Sequence, residues 1–146
     1  MNKLERIFDY QERLLKTKEA LIDERCKLSL LCATMHDKLT KYITHSKWSY
    51  NDYNNLLTSC SMYEYVDSIK TISNSKLNID FIKYTMQLTE KRRQLKTCET
   101  NIKLYTQAIQ CIDDIKTEIK KYGRCITGVD FYMNRVDVIM AKVKFI

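Results

Sequence analysis

Proline is absent from this chain, and its only glycines are Gly123 and Gly128. A sequence with so few breakers makes few turns, so its elements should run long. Missing too is any apolar run near the roughly 18 residues that mark a bilayer-spanning helix. The opening stretch, 1–10, alternates charged with apolar residues and lacks a signal-peptide core. The expectation is an intracellular protein, cytoplasmic or nuclear, with no transmembrane segment. No Cys-x-x-Cys pair occurs among Cys26, Cys32, Cys60, Cys98, Cys111 and Cys125, and only His36 and His45 could join them at a zinc site. Those spacings argue against a metal. In a reducing compartment the thiols read as ordinary buried residues.

Catalytic constellations are equally scarce. Neither a Gly-rich phosphate loop nor a Gly-x-Ser-x-Gly elbow is present. Cys32 and His36 stand one helical turn apart, as a thiol and its base would. Cys32, however, lies on an apolar seam, and no orienting Asn or Asp or oxyanion donor accompanies the pair. The carboxylates Asp113–Asp114 and Asp23–Glu24 are adjacent, so on a helix they point apart and cannot share a substrate. The sequence reads as a non-enzyme with no cofactor and no small-molecule substrate.

What the chain does have is apolar periodicity. Within residues 76–122, Phe81, Leu88, Leu95, Ile102 and Ile109 recur every seventh position. Tyr84, Cys98, Tyr105, Ile112 and Ile119 follow three behind, and Lys91 breaks that second set once. Side chains three and four apart share a helix face, so the spacing predicts one helix with a continuous apolar seam. At 1.5 Å per residue it would measure about 70 Å, too long for a small domain to bury without another long helix beside it.

Residues 3–45 supply that partner. Ile7, Leu14, Leu21, Leu28, Met35 and Tyr42 are spaced at sevens, flanked by Phe8, Leu15, Ile22 and Ile43. The positions three before them are mixed: Leu4, Gln11, Lys18, Arg25, Cys32 and Leu39. The stripe therefore reads as wide and off-centre, more like a bundle core than a strict zipper. Glu5–Asp9–Arg13 and Glu12–Lys16 place helix-spaced charges on the outer side. Matching lengths predict antiparallel pairing.

Between the seams, Ser49 with Asp52 and Ser61 with Glu64 resemble helix starts. They predict two short helices over 50–60 and 62–72, ended by the polar turn Ser73-Asn74-Ser75. Gly123 falls where a left-handed cap closes the second long helix, with Lys116, Lys120 and Lys121 near its negative end. Thr127 and Asp130 offer a capping pair for a last helix over 129–145, with Tyr132, Met133, Val136, Ile139, Met140 and Val143 as its apolar face. Period-two alternation over 142–146 leaves a short strand as the alternative there. The expected fold is all-α and single-domain: a long antiparallel, coiled-coil-like helical hairpin with a helical tip insertion at 46–75 and a C-terminal docking helix.

Charge is the remaining signal. Apolar residues make up 45% and charged residues 29%, a soluble globular or coiled-coil mixture. The formal net charge is +7, distributed as +2 over 1–45, −1 over 46–75, +4 over 76–122 and +2 over 123–146. Lys83, Lys91, Arg92, Arg93 and Lys96 form the densest basic stretch, a candidate nucleic-acid contact whose binding would weaken steeply with salt. Aromatic residues concentrate at 48–65, and such residues favour interfaces. Leu14, Leu21, Leu28, Met35, Trp48, Tyr50 and Tyr53 are accordingly the candidate partner or self-association surface. Abundant Lys, Asn, Ile and Tyr with scarce Pro, Gly and Ala is the composition of an AT-rich genome, as in large DNA viruses. The leading expectation is a structural or adaptor subunit acting by helix–helix contacts with protein partners or with itself. The alternatives are a nucleic-acid-binding accessory protein and a membrane-surface scaffold using the C-terminal amphipathic helix.

Overall fold

The computed structural model describes residues 2–45 and 76–145, with side chains over 2–40 and 83–145. The helices expected over 50–60 and 62–72, the Ser49–Asp52 and Ser61–Glu64 pairs, the 73–75 turn and the candidates Trp48, Tyr50 and Tyr53 lie outside the described residues. So do the side chains of Tyr42, Ile43 and Phe81. The described residues form three α-helices and no strand: α1 (Lys3–His45), α2 (Lys76–Tyr122) and α3 (Val129–Met140). The two long helices pack against each other and α3 packs on α2.

Local chemistry sets the ends. Asn2 Oδ1 accepts from the Glu5 amide at 2.8 Å, and Glu5 Oε2 accepts from the Asn2 amide at 3.2 Å. This reciprocal box satisfies two donors that the first turn of α1 would otherwise leave open. α2 ends at Gly123, whose φ of 76° lies in the left-handed region and whose amide donates to Ile119 O at 2.8 Å. Lys120 and Lys121 occupy the last turn, where the helix dipole favours cations.

The packing divides into two compact units, residues 1–26 with 96–146, and residues 27–95. In the first, Ile7 and Leu14 of α1 and Val136 of α3 close on Ala108, Ile109, Ile112 and Ile115 of α2. α2 buries Ala108 and Ile115 beside the heptad residues Ile109 and Ile112, a wider arc than one seam, because it serves two neighbouring helices. Gln11 reaching Ile109 and Asp113, with Leu21 at Cys98, sets an antiparallel register. In the second unit Lys38 lies over the Tyr84 ring at 5.5 Å, and Arg92 and Lys91 act on Cys32, again antiparallel. Leu28, Leu39 and Leu88 are buried there. Thr85 is buried as well, and its hydroxyl has no hydrogen-bond partner among the described residues.

Three local expectations change. On α1 the second buried row is the mixed one: Gln11, Cys32 and Leu39 are covered, whereas Leu15 on the apolar flank is 40% exposed. Polar Gln11 can enter the seam because every polar atom of its amide finds a partner. Thr127 does not pair with Asp130. Its amide and hydroxyl both donate to Glu118 Oε1, at 3.1 and 2.7 Å, so α3 starts at Gly128 with no side-chain cap, and Asp130 instead meets Lys3 Nζ at 2.6 Å. These bonds, the Tyr132 hydroxyl and the Cys125 thiol hold the Glu118 carboxyl below its ordinary range.

Finally, α3 stops at Met140 rather than running to 145. The Lys142 and Val143 amides turn back to Ile139 O and Met140 O. Asn101, itself buried, then donates from Nδ2 to Lys144 O at 2.6 Å and accepts from the Lys144 amide at 3.1 Å. A side-chain amide paired with a backbone amide takes the place of a strand partner. The alternating tail is thus held to α2 through one side chain, with no strand ladder.

Candidate interaction surfaces

The sequence candidates fall into different environments. Leu14 and Leu28 are buried within the first and second units respectively, and Leu21 is half-buried. A second molecule cannot reach the two buried leucines without displacing this chain's own packing. Met35 is half-buried and lines an open groove of about 600 Å³ in the second unit with Met86, Gln87, Glu90 and Lys91. Leu31 stands one turn before Met35 on α1, so the two share a face. Leu31 and Met86 are 42% and 37% exposed. Leu30, about 200° around the helix from buried Leu28, is exposed on the outside.

The basic stretch does not gather on one face. At 100° per residue, Lys91, Arg92 and Arg93 fan across about 200° of α2. Lys91 Nζ donates to Gln94 Oε1 at 3.3 Å, and both Lys91 and Arg92 are half-buried on the side that reaches Cys32. Arg93 turns outward and donates twice to Glu90, from Nη2 at 2.6 Å and Nε at 3.1 Å. Those bonds hold the Glu90 carboxyl below its ordinary range and raise Arg93. Lys83 is exposed in the second unit and Lys96 in the first. A phosphate backbone needs cations aligned along a track. This run is spread around the helix, and one of its charges is already paired.

The C-terminal helix docks through the face expected of it. Tyr132, Met133, Val136, Ile139 and Met140, its expected apolar face, pack into the core of the first unit. Its exposed residues are Asp130, Phe131, Asn134, Arg135, Asp137 and Val138, and Phe131, Asn134, Arg135 and Val138 line a groove of about 430 Å³ with Gln107 and Ile139. Arg135 lies over the Phe131 ring at 5.9 Å. Reading the helix for its richest face found the buried one. The exposed apolar pair was legible only as the sparser spacing Phe131–Val138.

Among the described residues no three His, Cys, Asp or Glu side chains could share a metal ion. Nor is any helix there long and apolar enough to cross a membrane. Burial pushes the Cys32, Cys98 and Cys111 thiols above the ordinary value of 9.0, with Arg92 and Lys91 pulling Cys32 partly back, Glu24 adding to Cys98, and Arg135 opposing the rise at Cys111. A thiol raised on folding keeps its proton where the unfolded chain has lost it, so stability is full below about pH 9 and falls above it. The urea midpoint is therefore expected to drop from pH 8 to about pH 10, and to drop less in Cys98→Ser. An equal drop in both proteins would mean that other groups carry the dependence. Exposed Cys26 should label with a thiol reagent at neutral pH before buried Cys32, Cys98 and Cys111 do.

Comparison with protein-family models, with curated proteins and with solved structures finds no match for this chain.

Proposed function

We propose that this protein is a non-enzymatic structural or adaptor subunit that works by helix–helix contact, in a homo-oligomer or a larger protein assembly. The observation that carries this reading is the apolar surface of the second unit. Met86 stands exposed in the groove that Met35 helps to line, and Leu31 is exposed one turn before Met35, although Leu28, Leu39 and Leu88 of the same helices are buried. Exposed apolar groups collected around a groove mark an interaction site more than single scattered ones do. Methionine adapts its shape to an incoming side chain. The AT-rich composition fits such a subunit in a large DNA virus.

The test is mass in solution by light scattering, at low and high salt, with and without nuclease. A discrete multiple of 17.4 kDa that neither treatment changes is expected. Leu31→Glu with Met86→Glu replaces two exposed side chains, so helicity should persist while the mass falls toward the monomer. A monomer that copurifies with nucleic acid and sheds it in salt would overturn this reading in favour of the basic residues Lys83, Lys91, Arg92, Arg93 and Lys96. An oligomer unaffected by the double variant would move the interface elsewhere.

A further inference from the structure

We infer that the outer face of α3, with the tail that follows it, docks on an anionic lipid bilayer. Phe131 and Val138 are 51% and 60% exposed, and Phe145 is fully exposed. Phe131 and Val138 stand two turns apart on α3 with Arg135 between them, and Lys142 and Phe145 belong to the tail beyond Met140. Phe131, Arg135 and Val138 line one groove. Asn101 holds the Lys144 backbone with two hydrogen bonds, so Phe145 is presented beside a fixed point. Such interleaving lets apolar groups enter the interface while the long cationic side chains stay at the headgroups.

Charge decides which occupant fits. Residues 120–145 expose Lys120, Lys121, Arg124, Arg135, Lys142 and Lys144 against only Asp130 and Asp137, and Asp130 is already paired with Lys3. A second copy would bring the same excess of cations, so two such segments in contact would repel. An anionic surface is complementary to that excess, and Arg135 is the cation that shares a groove with Phe131 and Val138. α3 spends its richer apolar side on the core, and the sparser side it leaves carries Arg135 beside Phe131 and Val138, with Asp130 and Asp137 farther round the helix.

The test uses the full chain and sedimentation with vesicles of phosphatidylcholine alone or mixed with about one part in four phosphatidylserine. Binding to the anionic vesicles is expected, with at least about tenfold preference over the neutral ones and a fall on adding salt. Each cation near such a surface is worth about fivefold in partition, so Arg135→Glu, a change of two charges, should lose about tenfold or more. Phe131→Ala with Val138→Ala should lose a similar amount while leaving the melting curve unchanged, because both side chains are exposed. Leu31→Glu with Met86→Glu should bind vesicles as the parent does, which separates this surface from self-association. No anionic preference, or binding that survives the α3 variants, overturns the proposal. So does a saturable complex of this face with an acidic amphipathic peptide, lost in Arg135→Glu, when the vesicles do not bind. A change of oligomer mass in Phe131→Ala with Val138→Ala, without vesicle binding, would assign the face to a second copy instead.

Discussion

Replacing Ile112 with alanine is expected to lower the unfolding free energy by about 3–4 kcal/mol, in the range measured for large-to-small changes at closed sites. Ile112 has no exposed surface, and its cluster draws on all three helices through Ile7, Leu14 and Val136. A site enclosed from three directions collapses poorly, so the cavity term adds to the lost transfer energy. For a chain of this size each kcal/mol moves the melting temperature by about 2–4 °C, so a fall near 10 °C should be seen by calorimetry or circular dichroism. Val138→Ala removes apolar atoms from a surface position on α3 and should stay within about 0.5 kcal/mol. Amide exchange should quicken in the Ile112 variant around Leu14 and Val136 as well as on α2, because one cluster joins them. Equal melting temperatures for the two variants would show that the packing of this unit does not centre on Ile112.

Legibility in the sequence followed the strength of the repeat. The long helices were readable because apolar residues at every seventh position, sustained over many turns, keep to one face of a helix and to neither face of a strand. Their ends at Lys3, His45, Lys76 and Tyr122 fall where the pattern and the Gly123 cap put them. The buried row containing Gln11 was not readable. A glutamine looks like a break in a seam until its partners, Ile109 O, Asp113 and Lys116, are known, and all lie about a hundred residues away. The same kind of distance hid the role of Asn101, whose partner is a backbone amide rather than a side chain with a recognisable type. Thr127 and Asp130 matched a local capping motif and were claimed by long-range or cross-turn partners instead, Glu118 and Lys3. Local patterns compete with tertiary ones, and short motifs lose more often than long repeats. The interaction surfaces were harder still. A sequence ranks apolar residues by abundance, and the most abundant face of α3 is the one folding consumes.

The second large effect is expected at Gln11. Its Nε2 donates to Ile109 O at 3.1 Å and to Asp113 Oδ1 at 2.7 Å, its Oε1 accepts from Lys116 Nζ, and the Lys116 ammonium also lies 5.0 Å from the centre of the Phe8 ring. Gln11→Ala opens a void and removes three bonds at once, two of them to charged groups, and should cost about 2–3 kcal/mol. Gln11→Leu refills the volume. Asp113 is half-buried and Lys116 exposed, so both can turn to water, and stability should return to within about 1 kcal/mol of the parent. The two variants differ in what the parent amide does besides stabilise. A polar group in an apolar seam fixes register, since any slide of one helix along the other buries it without partners. With leucine there, Ile7, Leu14 and position 11 present an apolar surface with no marker against α2. Amide spectra of Gln11→Leu should then show doubled or broadened peaks over 7–21 and 98–116, while Gln11→Ala keeps a single set. If the leucine variant gives one sharp set at parental positions, the register is held by side-chain packing alone, and the Gln11 network contributes only its hydrogen bonds.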